Sequence, residues 1–170
     1  MLDVINKRFS CRKFLDREVE KNKIMEIVNA GLKAPSGMNK QEGVVIVITD
    51  QETRELLSML NNRIGKMKEN IDPFYGAPVI LLVVHKKSPL AVYNGAAMIE
   101  NMLLEATNQG LGSCWVHRAY EELLTPIGTR ILARCGLDAN EYEGIGHIAL
   151  GYADAVSNDK VIKDNRAYFL

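Results

Sequence analysis

Gly43-Val44-Val45-Ile46-Val47-Ile48-Thr49 decides the class of fold, because every residue after the glycine is β-branched. Side chains of this kind pack well on a pleated surface, so the stretch is predicted to be a buried strand. Residues 78–84 form a second strongly apolar run. Neither run alternates apolar and polar residues, which predicts two inner strands with helices over both faces of the sheet.

Helical and strand patterns alternate outward from these two runs. Asp50 and Ser88 are predicted N-caps, and Gly136 is a predicted C-cap. Spacing and caps together predict helices over residues 2–7, 20–33, 51–60, 89–109 and 121–135, further strands over 113–117 and 145–152, and a helical or irregular stretch over 61–72. This order predicts a layered α/β or α+β fold, and the length predicts one domain over residues 1–170.

Composition and charge exclude several classes of protein. Lys+Arg and Asp+Glu both number 21, so no net field favours nucleic acid or an anionic membrane. Cys11, Cys114 and Cys135 are odd in number and far apart, which argues against a disulfide framework and a zinc site. The three histidines are too dispersed along the chain to indicate a metal site.

The polar start and the short apolar runs predict a soluble, cytoplasmic protein. Residues 1–7 are too few and too polar to form a signal peptide. The longest strongly apolar run, 77–85, contains Pro78 and is far shorter than the ~20 residues that a membrane helix needs.

Arg8-Phe9-Ser10-Cys11-Arg12-Lys13-Phe14 is the stretch that points most directly to a ligand. In an extended segment Arg8, Ser10 and Arg12 share one face, where they can converge on a single anion. The planar fork of arginine suits a phosphate group. The alternative is a basic turn on the surface.

Two later segments contain residue types typical of binding loops. Residues 34–41, Ala-Pro-Ser-Gly-Met-Asn-Lys-Gln, are either such a loop or an ordinary turn. Residues 110–118 hold Trp115, which is expected to be core, and His117 with Arg118, which are either an active-site pair or surface residues at a strand end. Cys114 has no sequence neighbour that would lower its pKa, which favours a structural role.

Taken in order, these segments resemble the FMN-dependent nitroreductase family. The family pattern Arg-x-Ser-x-Arg/Lys-x-Phe/Tyr stands at 8–14, and Ala-Pro-Ser-x-x-Asn-x-Gln stands at 34–41 after the first long helix. Leu-Gly-Ser-Cys-Trp at 111–115, Ala-Pro at 77–78 and Leu-Gly-Tyr at 150–152 also resemble compact members. The resemblance covers essentially the whole chain.

The resemblance implies an α+β fold, with a mostly antiparallel central sheet wrapped by helices, and an intertwined homodimer with two FMN sites at its interface. It also implies the groups that bind the flavin. These are Arg8, Ser10 and Arg12 with the backbone of Phe9 at the phosphate and ribityl chain; Pro35, Ser36 and Asn39 from the other subunit; Asn70 near the pyrimidine edge; and the backbone of Trp115, Val116, His117 and Arg118 near N5.

The sequence departs from the family pattern in two places. The C-terminal Lys-x-Arg clasp of the phosphate is not intact, so Lys160 and Lys163 are candidates that lie out of register. Gln41 is followed by Glu42-Gly43 where many members have Pro-Trp. A short segment before residue 142 predicts a more open site than that of longer members.

The implied chemistry is transfer of a hydride from NADH or NADPH to FMN, then reduction of a small planar acceptor such as a nitro-aromatic or a quinone in a ping-pong cycle. No catalytic side chain and no metal are expected, because the flavin carries the chemistry. Two alternatives stay open. The first is a protein with the same fold and flavin that catalyses a different redox reaction. The second is a non-catalytic FMN-binding protein.

Overall fold

A computed structural model describes residues 1–155 and 160–170, and in these ranges helices and strands alternate along the chain. In chain order the elements are α1 (Asp3–Lys7), α2 (Lys21–Leu32), β1 (Gly43–Ile48), α3 (Gln51–Gly65), β2 (Val79–Lys86), α4 (Ala91–Asn108), β3 (Gly112–Val116), α5 (Ala119–Leu123), α6 (Pro126–Arg134) and β4 (Tyr142–Gly151).

The four strands form one sheet in the order β1-β2-β4-β3, and every pairing is antiparallel. Opposite residues define rows across it, such as the row of Ile46, Leu82, His147 and Val116. The predicted α+β fold with a mostly antiparallel sheet is therefore confirmed.

Strand β2 lies at the centre of the core, and both of its faces are buried. Val79, Leu81 and Val83 pack with residues of α2 and α4. The alternate residues of β2 pack with α3, α5 and α6 in a second apolar cluster. Burying one such side chain contributes ~1.5–3 kcal/mol, so this strand is a large source of the stability of the fold.

The prediction that residues 43–49 form an inner strand is wrong, because β1 stands at an edge of the sheet. Val47 is 38% exposed, whereas Ile46 and Ile48 are buried. Half-buried Val44 and Val45 give β1 the apolar composition of an inner strand although one backbone edge is open. Composition reports burial of the side chains and carries no information on how many neighbours pair with the backbone.

Two helix boundaries also differ from the predictions. Residues 121–135 are divided between α5 and α6, because Thr125 caps a new helix and Pro126 occupies its first turn. Helix α4 begins at Ala91, since Ser88 and Pro89 belong to the turn that precedes it. The predicted cap at Asp50 is confirmed by its hydrogen bond from the Thr53 amide, and α3 continues to Gly65.

The remaining predicted elements are confirmed with small shifts at their ends, and Gly136 has the left-handed backbone (φ +71°) expected just after a helix. Across residues 1–155 and 160–170, no helix combines the length and the apolar character of a transmembrane span. Nor do these residues contain a group of His, Cys, Asp or Glu side chains placed to hold a metal ion.

Helix α5 packs against β4 through a close backbone approach at Gly144. A Cβ atom at this position would lie 2.3 Å from the carbonyl oxygen of Ala119. A backbone oxygen cannot rotate away as a side chain can. Gly144 therefore fixes how closely α5, and the segment that leads into it, sits on the sheet.

We expect Gly144→Ala to lower the free energy of unfolding by ~1–3 kcal/mol, the usual cost of overpacking, as measured by urea denaturation. Gly65→Ala is the matched control, because its Cβ would meet only the flexible end of Met67 at 3.1 Å. The control should be neutral or stabilising by up to ~1 kcal/mol. Equal stability of the two variants would contradict the close packing of α5 on β4.

Candidate functional site

Residues 8–15 run past the start of β3 and then beside residues 152–153, which follow β4. Ser10 forms a parallel bridge with Ser113, and the Cys11 N–H donates to the Ser113 carbonyl at 2.9 Å. Farther along, the Leu15 N–H donates to the Tyr152 carbonyl at 2.8 Å. The backbone at Arg8 is already extended, which gives residues 8, 10 and 12 the shared face that the sequence predicted.

The structure brings Arg8, Ser10 and Arg12 together beside the first residues of β3. Arg8 is mostly covered, with Nε 4.0 Å from a carboxylate oxygen of Glu100, and Arg12 is exposed. Burial raises the pKa of the nearby Cys114 thiol, and the positive charges of Arg12 and Arg8 partly offset this increase. The result is a locally positive site in a chain whose formal net charge is zero.

Ser113 is a member of this site that the sequence did not single out. It is 2% exposed, and its hydroxyl has no hydrogen-bond partner among the described residues. It lies directly opposite Ser10. A buried hydroxyl without a partner costs ~1–3 kcal/mol.

Residues 34–41 form a loop whose conformation is held by internal hydrogen bonds. Met38, Asn39 and Gln41 have positive φ angles of 52–55°. The Gln41 N–H donates to Ser36 Oγ at 3.0 Å, and the Gln41 side-chain amide donates to Asn39 Oδ1 at 2.9 Å. These bonds hold a strained backbone in one shape.

The loop is anchored to α4 and β2 through two buried or half-buried side chains. The Gly37 N–H donates to Asn94 Oδ1 at 3.1 Å, and the Asn94 side-chain nitrogen lies 3.2 Å from His85 Nε2. A cavity of about 170 Å³ separates the loop from His85 and Met98. Pro35 and Asn39 are exposed.

The arginine site and the loop lie at diagonally opposite corners of the sheet in one chain. The loop precedes Gly43 on edge strand β1, whereas Ser10 pairs with the other edge strand, β3. The register places Gly43 opposite His85 and Ser113 in the row of Leu150 and Val79, six residues away along β2. These separations correspond to ~20 Å along the strands and ~14 Å across three strand spacings.

Residues 115–118 occupy the far end of β3, and Trp115 is not the core residue that the sequence predicted. Its side chain is 41% exposed and lies over Gly146, where an added Cβ would meet the indole nitrogen at 2.5 Å. Val116 is buried, and His117 is exposed. Arg118 has φ +84° and pairs with Glu121 at 2.9 Å.

The structure does not bring the other predicted site residues into contact with the arginine site. Phe9 is half-buried beside Arg8, but Asn70 is exposed in a turn beyond α3. Lys160 and Lys163 are exposed, and neither forms an ion pair with a residue in the described part of the chain.

A buried polar cluster beneath residues 117–118 was likewise not predicted from the sequence. Asn61, Glu122 and His147 are each at most 1% exposed, and the Asn61 amide donates to the His117 carbonyl at 2.8 Å. A histidine inside the apolar run of β4 was the one available signal. Glu122 provided no such signal, because the sequence predicts one helix over residues 121–135 with a polar start.

Comparisons with known proteins identify similar chains in sequence and in fold. The model for the "Nitroreductase family" matches residues 5–152. Two relatives, each named "Putative NADH dehydrogenase/NAD(P)H nitroreductase", come from Methanothermobacter thermautotrophicus and Archaeoglobus fulgidus. They are 28% and 31% identical over 120 and 121 residues, which is 68% of this chain in both cases. The matches span 59% and 66% of the relatives' own lengths, less than two thirds of each.

The solved structure of a nitroreductase with bound FMN from Bacteroides fragilis has the same fold. It superimposes with a TM-score of 0.89 over 100% of both chains, at 24% sequence identity.

Proposed function

Because the chain belongs to the nitroreductase family, we propose that it is an FMN-dependent oxidoreductase that uses NADH or NADPH to reduce a nitro-aromatic, a quinone or a similar planar acceptor. We further propose that residues 1–170 act as one domain in a cytoplasmic homodimer. The observation that carries the proposal is that Arg8 and Arg12 flank the point where Ser10 pairs with Ser113 at the start of β3, and that both arginines lie near Cys114.

The arginine site fits the phosphate end of FMN. Two guanidinium groups supply charge-assisted, forked hydrogen bonds of the kind that a phosphate accepts. The Ser10 hydroxyl is exposed, and the Ser113 hydroxyl beside it lacks a partner within the described residues. The exposed Ser10 hydroxyl can bind a phosphate or ribityl oxygen. We assign the phosphate to Arg8 and Arg12, with the Phe9 backbone alongside; Lys160 and Lys163 stay candidates for a further contact.

The far end of β3 fits the reactive edge of the flavin. Bound FMN would supply hydride acceptance from the nicotinamide and reduction of the acceptor in a second half-reaction, the ping-pong cycle. The protein's part is to bind and orient it, with backbone N–H groups of residues 115–118 near N5 and Asn70 toward the pyrimidine edge. Burial raises the pKa of Cys114, so this thiol is not poised as a nucleophile.

The diagonal placement of the two binding segments supports a shared site. Within one chain, the loop at 34–41 is too far from Arg8 and Arg12 to contact a single flavin at the same place. A second copy related by a two-fold axis can bring its loop to the first copy's arginines. We propose two equivalent sites, each completed by Pro35, Ser36 and Asn39 of the partner.

Purified protein should be yellow and should contain about one FMN per chain. Under anaerobic conditions, NADH or NADPH should bleach the flavin absorbance, and a nitro-aromatic or a quinone should restore it. Protein that cannot be reconstituted with FMN would overturn the proposal. Flavin that no nicotinamide reduces would favour a binding protein, and reduction without turnover on these acceptors would favour a different redox reaction.

Arg8→Ala and Arg12→Ala should each weaken FMN binding by ~1.5–3 kcal/mol, the usual loss for a charge-assisted hydrogen bond, as measured by fluorescence titration of the apoprotein. Lys13→Ala is the matched control from the same segment, because Lys13 pairs with Asp154 at 2.7 Å on the outside of the fold. Its FMN affinity should equal that of the parent. If all three variants bind alike, the phosphate assignment is wrong.

Mixed dimers test whether the site is shared between subunits. One chain carries Arg8→Ala and Arg12→Ala, the other carries Ser36→Ala and Asn39→Ala, and each alone should bind FMN weakly. In a heterodimer isolated with two affinity tags, one site combines both intact halves and should bind one FMN per dimer with parental affinity. A site contained in one chain would leave the heterodimer without any intact site.

A further inference from the structure

Asn61, Glu122 and His147 form a buried polar cluster between α3, α5 and β4. The Asn61 amide nitrogen donates to Glu122 Oε1, and Glu122 Oε2 lies 2.9 Å from His147 Nε2. This contact is close but does not have the geometry of a hydrogen bond. Phe74 packs edge-on against His147, with ring centroids 5.2 Å apart.

Stability alone does not account for this cluster. Placing a carboxyl and an imidazole where they are at most 1% exposed carries a desolvation penalty that a close pair often fails to recover. In addition, Asn61 Oδ1 and His147 Nδ1 are buried without a partner in the described part of the chain. Apolar side chains of similar size would pack there at lower cost, so the polar groups call for another role.

That role follows from the two hydrogen atoms of the Asn61 amide. One is directed to Glu122 Oε1 and the other to the His117 carbonyl, 2.8 Å away. Both partners are acceptors, so the amide oxygen cannot take the place of the nitrogen. Glu122 therefore holds Asn61 in the one orientation that binds the backbone at residue 117.

Fixing the His117 carbonyl fixes the N–H group of the next residue. In a trans peptide the C=O and the following N–H point in opposite directions. Because the carbonyl points inward to Asn61, the Arg118 N–H points away from the buried cluster, and it has no acceptor among the described residues. Arg118 itself has φ +84°, a conformation that a non-glycine residue holds only with support.

We propose that Asn61, Glu122 and His147 are positioning residues that hold the 117–118 peptide with its Arg118 N–H directed at the flavin. The inference rests on the proposed FMN site. Asn61 binds the peptide directly, Glu122 orients Asn61, and His147 faces the second carboxylate oxygen. A donor held in this way stabilises the extra electron density of reduced FMN more than it stabilises oxidised FMN.

The experiment measures the two-electron potential of bound FMN and the affinity for oxidised FMN in parent and variants. Asn61→Leu keeps the volume and removes both donors. It should weaken binding of reduced relative to oxidised FMN about tenfold, which makes the potential ~30 mV more negative. Affinity for oxidised FMN should stay within threefold, because Arg8 and Arg12 are untouched. If Asn61→Leu does not fold, Asn61→Ser carries the same expectation.

A pair of substitutions at Glu122 separates hydrogen bonding from packing. Glu122→Leu should shift the potential as Asn61→Leu does. Glu122→Gln keeps an oxygen for Asn61 and should stay near the parent. Thr53→Val is the control on α3. It removes a buried polar group outside this cluster, the Thr53 hydroxyl, which donates to Asp50. It should lower Tm without moving the potential.

The outcomes are distinguishable. A parent protein that binds no FMN overturns both this inference and the proposed function. Suppose that the parent binds FMN and is reduced by NADH or NADPH. The positioning role alone is then overturned if Asn61→Leu and Glu122→Leu each change the ratio of the affinities for reduced and oxidised FMN by less than twofold. A shift in Thr53→Val equal to that in Asn61→Leu would do the same.

Discussion

Burial of β2 on both faces is the constraint on which the rest of the structure depends. Its alternate side chains require a helical layer on each side. The strand order β1-β2-β4-β3 leaves β1 and β3 as the edges of the sheet. Those edges carry the two segments that we propose to bind the flavin. The arginine site lies beside the start of β3, and the loop at 34–41 leads directly into β1. One apolar strand thus determines both the core and the separation of the two halves of the site.

The sequence was a good guide at several positions where a local rule decides the structure, although the cap predicted at Ser88 was wrong. Asp50 caps α3 and Gly136 ends α6, because capping depends on a few neighbouring residues. The alternation of Arg8, Ser10 and Arg12 likewise predicted their shared face. The position of β1 at an edge could not be predicted in this way, since pairing partners come from distant parts of the chain.

The sequence analysis singled out the charged part of the proposed site and not its buried part. Arginines and turn residues stand out in a sequence, and the resemblance to a family gave them a role. Ser113, Asn61 and Glu122 do not stand out, because their meaning comes from what surrounds them: a hydroxyl without a partner, or an amide facing a backbone carbonyl. Such relations exist only after α3 and α5 have packed against the sheet.

The half-exposed position of Trp115 gives the molecule a built-in optical probe. It is the one tryptophan in the sequence, so all indole emission comes from the outer end of β3. Its ring lies over Gly146 and next to Ile99 of α4, which ties its environment to both the strand and the helix. Changes in the wavelength or intensity of that emission therefore report on this corner of the protein alone, without any introduced label.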